Sequence, residues 1–120
     1  MEIENIKFKA KQLNSGKWFE GDLVRLGNRV CIGGDHIKDG ITDVDPSTVC
    51  MFTGLKDCEG KELFEHDLIH FVGFTHTAEV IWSEGNYAFM VVSENKHSYW
   101  LHNVIKVCRI ERIGNKFDKK

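Results

Sequence analysis

One phrase occurs twice in this chain and constrains the fold more than anything else in it. It reads Trp18-Phe19-Glu20-Gly21-Asp22-Leu23-Val24 and, 45 residues later, Leu63-Phe64-Glu65-His66-Asp67-Leu68-Ile69. A Gly-Lys pair precedes each copy, Gly16-Lys17 and Gly60-Lys61. Gly-Lys is a turn signal, and the short apolar runs on either side of the acidic residues are strand-length. Each copy therefore predicts a turn, a short strand, an acidic corner and a second strand. The copies fall at 17–26 and 61–71, and they favour a β architecture over a helical one.

Alternation extends that reading along the chain. Ile6, Phe8 and Ala10 alternate with Lys7, Lys9 and Lys11, the period-2 pattern of a half-buried strand. Gly27-Asn28 offers a tight hairpin between residues 17–26 and Arg29-Val30-Cys31-Ile32. Residues 34–48 hold Asp35, Asp39, Asp43, Asp45 and Pro46, the only proline, and read as loop. Between Thr77 and Ser93, a two-residue turn at Glu84-Gly85 would oppose Trp82 with Tyr87, Val80 with Phe89 and Ala78 with Val91. Trp82 and Tyr87 would then pack in the core. Tyr99 to Val104 is equally readable as a helical turn or a strand, and Ile105 to Ile113 alternates as a strand. No segment of a dozen residues carries a helical period. The expected fold is mainly β: a single domain over 1–120, with a small SH3-like barrel centred on 63–93 and additional β-hairpins. The first repeat copy would pack beside that barrel.

Charge is uneven. Residues 106–120 carry six basic and two acidic side chains, whereas the preceding 105 carry ten basic and sixteen acidic. The overall charge of −2 gives no general reason to expect nucleic acid. A solvated last strand with a frayed tail over 114–120 accounts for the basic end. Four cysteines show no C-x-x-C spacing, and no apolar run follows Met1 or reaches the length of a membrane span. These features predict no membrane association, a cytoplasmic location and reduced thiols.

The chemistry-bearing residues form no catalytic or metal-binding constellation. His66 and His70 are four apart on an expected strand, which separates them by about 13 Å at roughly 3.3 Å per residue, too far to share a zinc ion. Glu20/Asp22 and Glu65/Asp67 could be acid–base pairs, but an Asp at a strand corner more simply accepts the turn's own N–H groups. Cys58 is flanked by Asp57 and Glu59, which disfavour its thiolate. No phosphate-binding or nucleophile-elbow motif is present. No catalytic, cofactor-binding or metal-ligating residue is assigned. Tyr99 and Trp100, beside the polar run 93–98, together with Lys106, Arg109 and Arg112, form the candidate binding surface.

The stretch Phe52-Thr53-Gly54-Leu55-Lys56-Asp57-Cys58-Glu59-Gly60-Lys61-Glu62-Leu63-Phe64-Glu65-His66-Asp67-Leu68-Ile69 resembles the central motif of the YopX family of phage and prophage proteins. The hairpin Val80-Ile81-Trp82…Gly85…Phe89 and the late Ile110-Glu111-Arg112-Ile113-Gly114-Asn115 match it too, as does Ile6-Lys7-Phe8-Lys9-Ala10 with Gly16-Lys17-Trp18. His66 departs from that pattern, where glycine is usual, and so do Cys58 and Glu59; residues 95–103 match no part of it. The resemblance implies a mostly-β fold with an SH3-like element, encoded in viral genomes or integrated prophages and acting in the host bacterial cell. It implies no activity. The expected role is a non-enzymatic module that binds a protein partner or assembles with itself. A nucleic-acid-binding barrel using the basic end is the less favoured alternative.

Overall fold

The structure, a computed structural model, describes residues 2–118. The chain separates into two compact units, residues 1–52 and 53–120. The first holds strands β1 (Phe8–Lys11), β2 (Trp18–Leu26), β3 (Arg29–Gly33) and β4 (Ile41–Asp43), and the start of β5 (Cys50–Lys56). The second continues with the rest of β5, then β6 (Glu62–Phe64), β7 (Asp67–Phe71), β8 (Thr77–Ser83), β9 (Ala88–Ser93) and β10 (Ser98–Trp100). It closes with a short helix α1 (Leu101–Val107) and β11 (Ile110–Asn115). The fold is mainly β, its paired strands antiparallel.

In the first unit the order is β4-β3-β2-β1-β5. Ala10, Ile32, Ile37 and Val44 are buried together, with Phe8, Phe19, Leu23, Val30 and Val49 packed against them. The stretch 34–48 is thus more than loop. It contains β4 and two 3₁₀ turns and gives Ile37 and Val44 to the core. Its apolar residues are too widely spaced to show a period. The lysine face of β1 is not simply solvated either. Lys9 is 4% exposed, with Nζ 4.8 Å from the Trp18 ring centroid, and Lys11 Nζ is 5.6 Å from the same ring. A lysine stem buries readily against an indole whose face attracts the ammonium.

The two repeat copies adopt different structures. In the first, the phrase stays within one strand. β1 pairs with β2 along 18–21, and β3 pairs with it along 22–26. Gly21 sits where the partners change, and a Cβ there would stand 2.2 Å from the Gly33 carbonyl oxygen, so only glycine lets the strands approach. Asp22 is an exposed ladder residue opposite Gly33, not a corner. In the second copy the strand breaks. β6 ends at Phe64, and His66 takes φ 69, the left-handed region. The His66 N–H donates to the Val80 carbonyl and its own carbonyl accepts from Lys116. Both copies mark a point where the chain passes between strand partners, by a glycine contact in one and a turn in the other.

The second unit's sheet runs β10-β9-β8-β7-β11: β7 to β10 form a four-stranded meander, and a fifth strand, β11, returns beside β7. Neither sheet closes on itself among the described residues. Leu63, Ile69, Val80, Val91 and Ile110 form the core, and α1 lays Leu101 and Val104 onto it. Residues 101–107 are therefore helical, and the strand expected from Ile105 begins only at Ile110. Leu101, Val104 and Ile105 have helical spacing, but about two turns are too short to display a period against the neighbouring alternation.

The β8–β9 hairpin pairs Trp82 with Phe89, Val80 with Val91 and Ala78 with Ser93. The connection is four residues, 84–87, rather than two, and the Ser83 hydroxyl accepts from the Asn86 amides. A shift of two residues keeps every side chain on its expected face, which is why alternation could not reveal it. It changes the fate of the aromatics. Tyr87 leaves the ladder at φ 49 and is 80% exposed, and Trp82 is 39% exposed, edge-on to Phe89. Residues 114–118, expected to fray, are tied down. Asn115 N–H donates to Asp118, Phe117 N–H to Asn115 Oδ1, and Phe117 meets the His66 ring edge-on. Residues 119 and 120 of that expected tail lie outside the described ones.

Two outcomes check this packing in urea unfolding. Gly21→Ala is expected to cost about 2 kcal/mol or more, because a methyl must displace backbone. Gly27→Ala, at φ 59 with open space around it, is expected to cost only about 1 kcal/mol. Trp82→Ala is expected to cost about 1 kcal/mol against roughly 3–4 for Ile69→Ala. Equal losses for the two would return Trp82 to the core.

Candidate functional site

The hairpin turns at one end of the second unit's sheet define a groove with α1. Phe71 ends β7, and its N–H and carbonyl brace the turn that follows. Phe71 N–H donates to His76 O, and Phe74 N–H donates to Phe71 O. This turn projects Phe74, 64% exposed, with its ring stacked on His76 at 6.4 Å and 25°. His70 holds it from below, Nε2 lying 2.6 Å from the Phe74 carbonyl and Nδ1 3.1 Å from Glu111. Across the groove, Lys96 at φ 68 turns the chain from β9 into β10, with Ser93 N–H donating to the His97 carbonyl. The space between is about 490 Å³, with Phe71 and Val104 among its lining and Tyr99, Val107 and Phe74 exposed around it.

Of the surface expected from sequence, Tyr99 lines this groove. In register it stands beside Val91 on the core side of the sheet. Trp100, one residue on, must point to the other face, and it meets His102 edge-on at 5.3 Å. Lys106 and Arg109 are exposed, each next in sequence to a lining residue, Val107 and Cys108. Arg112 does not join them. Its Nε lies 3.2 Å from Asp67 Oδ2, buried but poorly aligned as a hydrogen bond. Sequence reasoning missed Phe74, His76, His97 and Val107. An apolar residue inside a turn, Phe74 after Gly73, was the one signal available.

β10 itself ends the sheet, and its three residues are all exposed. The opposite end is covered. Beyond β11 the turn 57–61 supplies Cys58 N–H to the Ile110 carbonyl and the Asp57 carboxylate to the Arg112 N–H. The second unit therefore has one guarded edge and one open edge, and the open one adjoins the groove.

A family model described as YopX protein matches residues 3–119. The chain belongs to the YopX family. No curated protein matches it. Among its described residues, no helix is long and apolar enough to cross a membrane.

Two acidic residues of this YopX chain, Asp57 and Asp67, are buried and bond the backbone. Asp67 is fully buried. It accepts from the Phe64 N–H at 2.7 Å and from Asn115 Nδ2 at 2.9 Å, the capping role its sequence position suggested. A carboxylate so enclosed cannot reach a substrate proton. Glu20 and Asp22 are exposed. His66 and His70 face different carboxylates, Glu79 at 2.8 Å and Glu111 at 3.1 Å. Burial, followed by the Asp43 carboxylate, pushes the Cys31 thiol up and makes it a poor nucleophile.

Asp57, 7% exposed, shows what these carboxylates do. Oδ1 accepts from Glu59 and Lys61 N–H at 2.9 and 2.8 Å, and Oδ2 from Arg112 N–H at 2.8 Å. Burial works to raise its pKa, but the three N–H donors outweigh it and hold the carboxyl below the usual carboxylate range. A group with a lowered folded-state pKa stabilises the fold at neutral pH and loses that contribution as pH falls through about 4 and below. Asp57→Asn is expected to cost roughly 2–3 kcal/mol at pH 7, since it turns a donor toward donors. The gap between the variant and the natural chain should close as unfolding is followed down toward about pH 3. A gap that stays constant with pH would show that the charge of Asp57 is not what holds β11.

Proposed function

We propose that this YopX protein is a non-enzymatic binding module that engages a protein partner, or a second copy of itself, through the β10 edge and the groove beside it. The observation that carries this reading is the asymmetry of the second unit. β11 is capped by a turn and a buried carboxylate, while β10 is left exposed next to an apolar hollow. Unpaired strand edges are normally blunted, so an open one beside exposed aromatic and aliphatic side chains is suited to association. The setting is a phage or prophage gene product in the cytoplasm of the host bacterium, as the family resemblance implies. The second unit is also read as an SH3-like barrel. In support, a four-strand meander, one short helix and a fifth strand returning beside the first is the strand order such a barrel needs.

Nucleic-acid binding is the second reading, favoured by exposed Lys106 and Arg109 near Tyr99. The loss of Arg112 to Asp67 and the groove's apolar lining weigh against it.

A photo-crosslinking amino acid in place of Tyr99 tests both readings in host lysate, with Asn28, at the exposed tip of the β2–β3 hairpin, as the control position. Crosslinks from position 99 alone, to a protein or to this chain and unaffected by nuclease, are expected. Crosslinks that disappear with nuclease would move the assignment to nucleic acid.

A further inference from the structure

The chemistry of the groove and the geometry of β10 together specify an occupant, and this inference rests on the binding-module reading above. We infer that the second unit takes an extended, acidic peptide segment of a partner, added as a strand along β10, with one apolar side chain seated in the groove.

Three observations converge. The first is the backbone. β10 pairs with β9 on one side only and ends the sheet, with Ser98, Tyr99 and Trp100 all exposed, so its outer edge presents peptide groups to a further strand. The second is the side-chain direction. Tyr99 belongs both to that edge and to the groove lining. Along an added strand, side chains alternate between faces, so every second one falls on the Tyr99 side of the sheet. Phe74 and Val107, 64% and 78% exposed, leave the groove with apolar surface that water covers poorly.

The third is charge. Lys96, Lys106 and Arg109 are exposed and stand next in sequence to lining residues His97, Val107 and Cys108. Among the described residues next in sequence to the lining, Glu94 is the one exposed acid, and it already accepts from the Thr77 hydroxyl. The exposed charges flanking the groove's lining in sequence are thus three cations against one acid, on a chain that is net negative. Such a balance attracts carboxylates and repels basic segments. It supplies too few cations, on too apolar a floor, for a phosphate backbone to be the better match.

The test uses the full chain labelled with ¹⁵N and four probes. They are an extended peptide alternating leucine with aspartate and glutamate, its lysine-for-acid counterpart, an N-methylated version of the acidic peptide, and a single-stranded oligothymidine. Amide shifts are followed into the millimolar range. The acidic peptide is expected to shift the amides of 93–100 and 104–108. The N-methylated version, which cannot complete a ladder, should bind at least about tenfold more weakly. A chain carrying both Lys106→Glu and Arg109→Glu should also lose about tenfold for the acidic peptide, and the loss should shrink with added salt. Both substitutions are on exposed positions, and an unchanged spectrum elsewhere shows that the fold is kept.

Equal binding of the lysine peptide, or oligothymidine shifting the same amides more strongly, would overturn the proposal. No peptide binding while position 99 still crosslinks a protein would overturn the acidic-strand occupant and leave the binding module standing. A crosslink to a second copy alone would replace the peptide with self-assembly.

Discussion

Two buried carboxylates hold the last strand of this protein, and the second unit depends on them. Asp57 lies at a turn and Asp67 at a strand corner, yet both reach β11, at sequence separations of 55 and 48 residues. A buried charge is tolerated only when its lone pairs are met. Here backbone N–H groups and the Asn115 amide meet them, so each carboxylate both closes its own turn and fixes a distant strand. Ile110, whose side chain joins the core, is held by the neighbouring Cys58 N–H of the Asp57 turn. Contacts this far apart in sequence carry a large loop-closure cost. The core cannot be finished until the chain's end has been brought back.

The repeated phrase shows how far local sequence can determine structure here. Strand identity was legible in both copies, as was the Gly27-Asn28 hairpin, because alternation and turn chemistry are local. The corner was legible in the second copy alone. The difference lies in one position. Gly21 accepts a carbonyl at a distance no Cβ permits, and His66 turns the chain with its backbone held by Val80 and Lys116. What decides between these outcomes is the strand on the other side, which the phrase does not encode. The β8–β9 register failed for a related reason. Period-2 alternation is blind to a shift of two, and only the Ser83–Asn86 contact distinguishes the wider loop.

The candidate site was legible in part. Tyr99 stood out because an aromatic beside a polar run is an expensive place to leave apolar surface without use. The groove around it was not legible, because its walls come from two turns and a helix end, and 71–76 and 104–108 meet only in the folded chain. Arg112 illustrates the opposite error. Counted by sequence it belongs to a basic tail, but strand alternation and the β-bulge between Arg112 and Gly114 bring it to Asp67. A charge tally sees valence and not direction.

Magnitudes limit what the open edge can do. A three-residue strand offers a partner about three ladder hydrogen bonds, each contributing roughly 1 kcal/mol net. One apolar side chain in the groove adds roughly 1.5–3 kcal/mol. Ordering an extended peptide takes several kcal/mol of this back. The sum corresponds to a dissociation constant nearer millimolar than micromolar for a single engagement. An edge this short therefore serves a contact that is weak alone and gains strength when a partner presents it more than once, or when the module itself is presented in several copies. The shortness of β10 is then a functional property of the fold. A longer open strand would bind more tightly, and it would also pair indiscriminately with other edges.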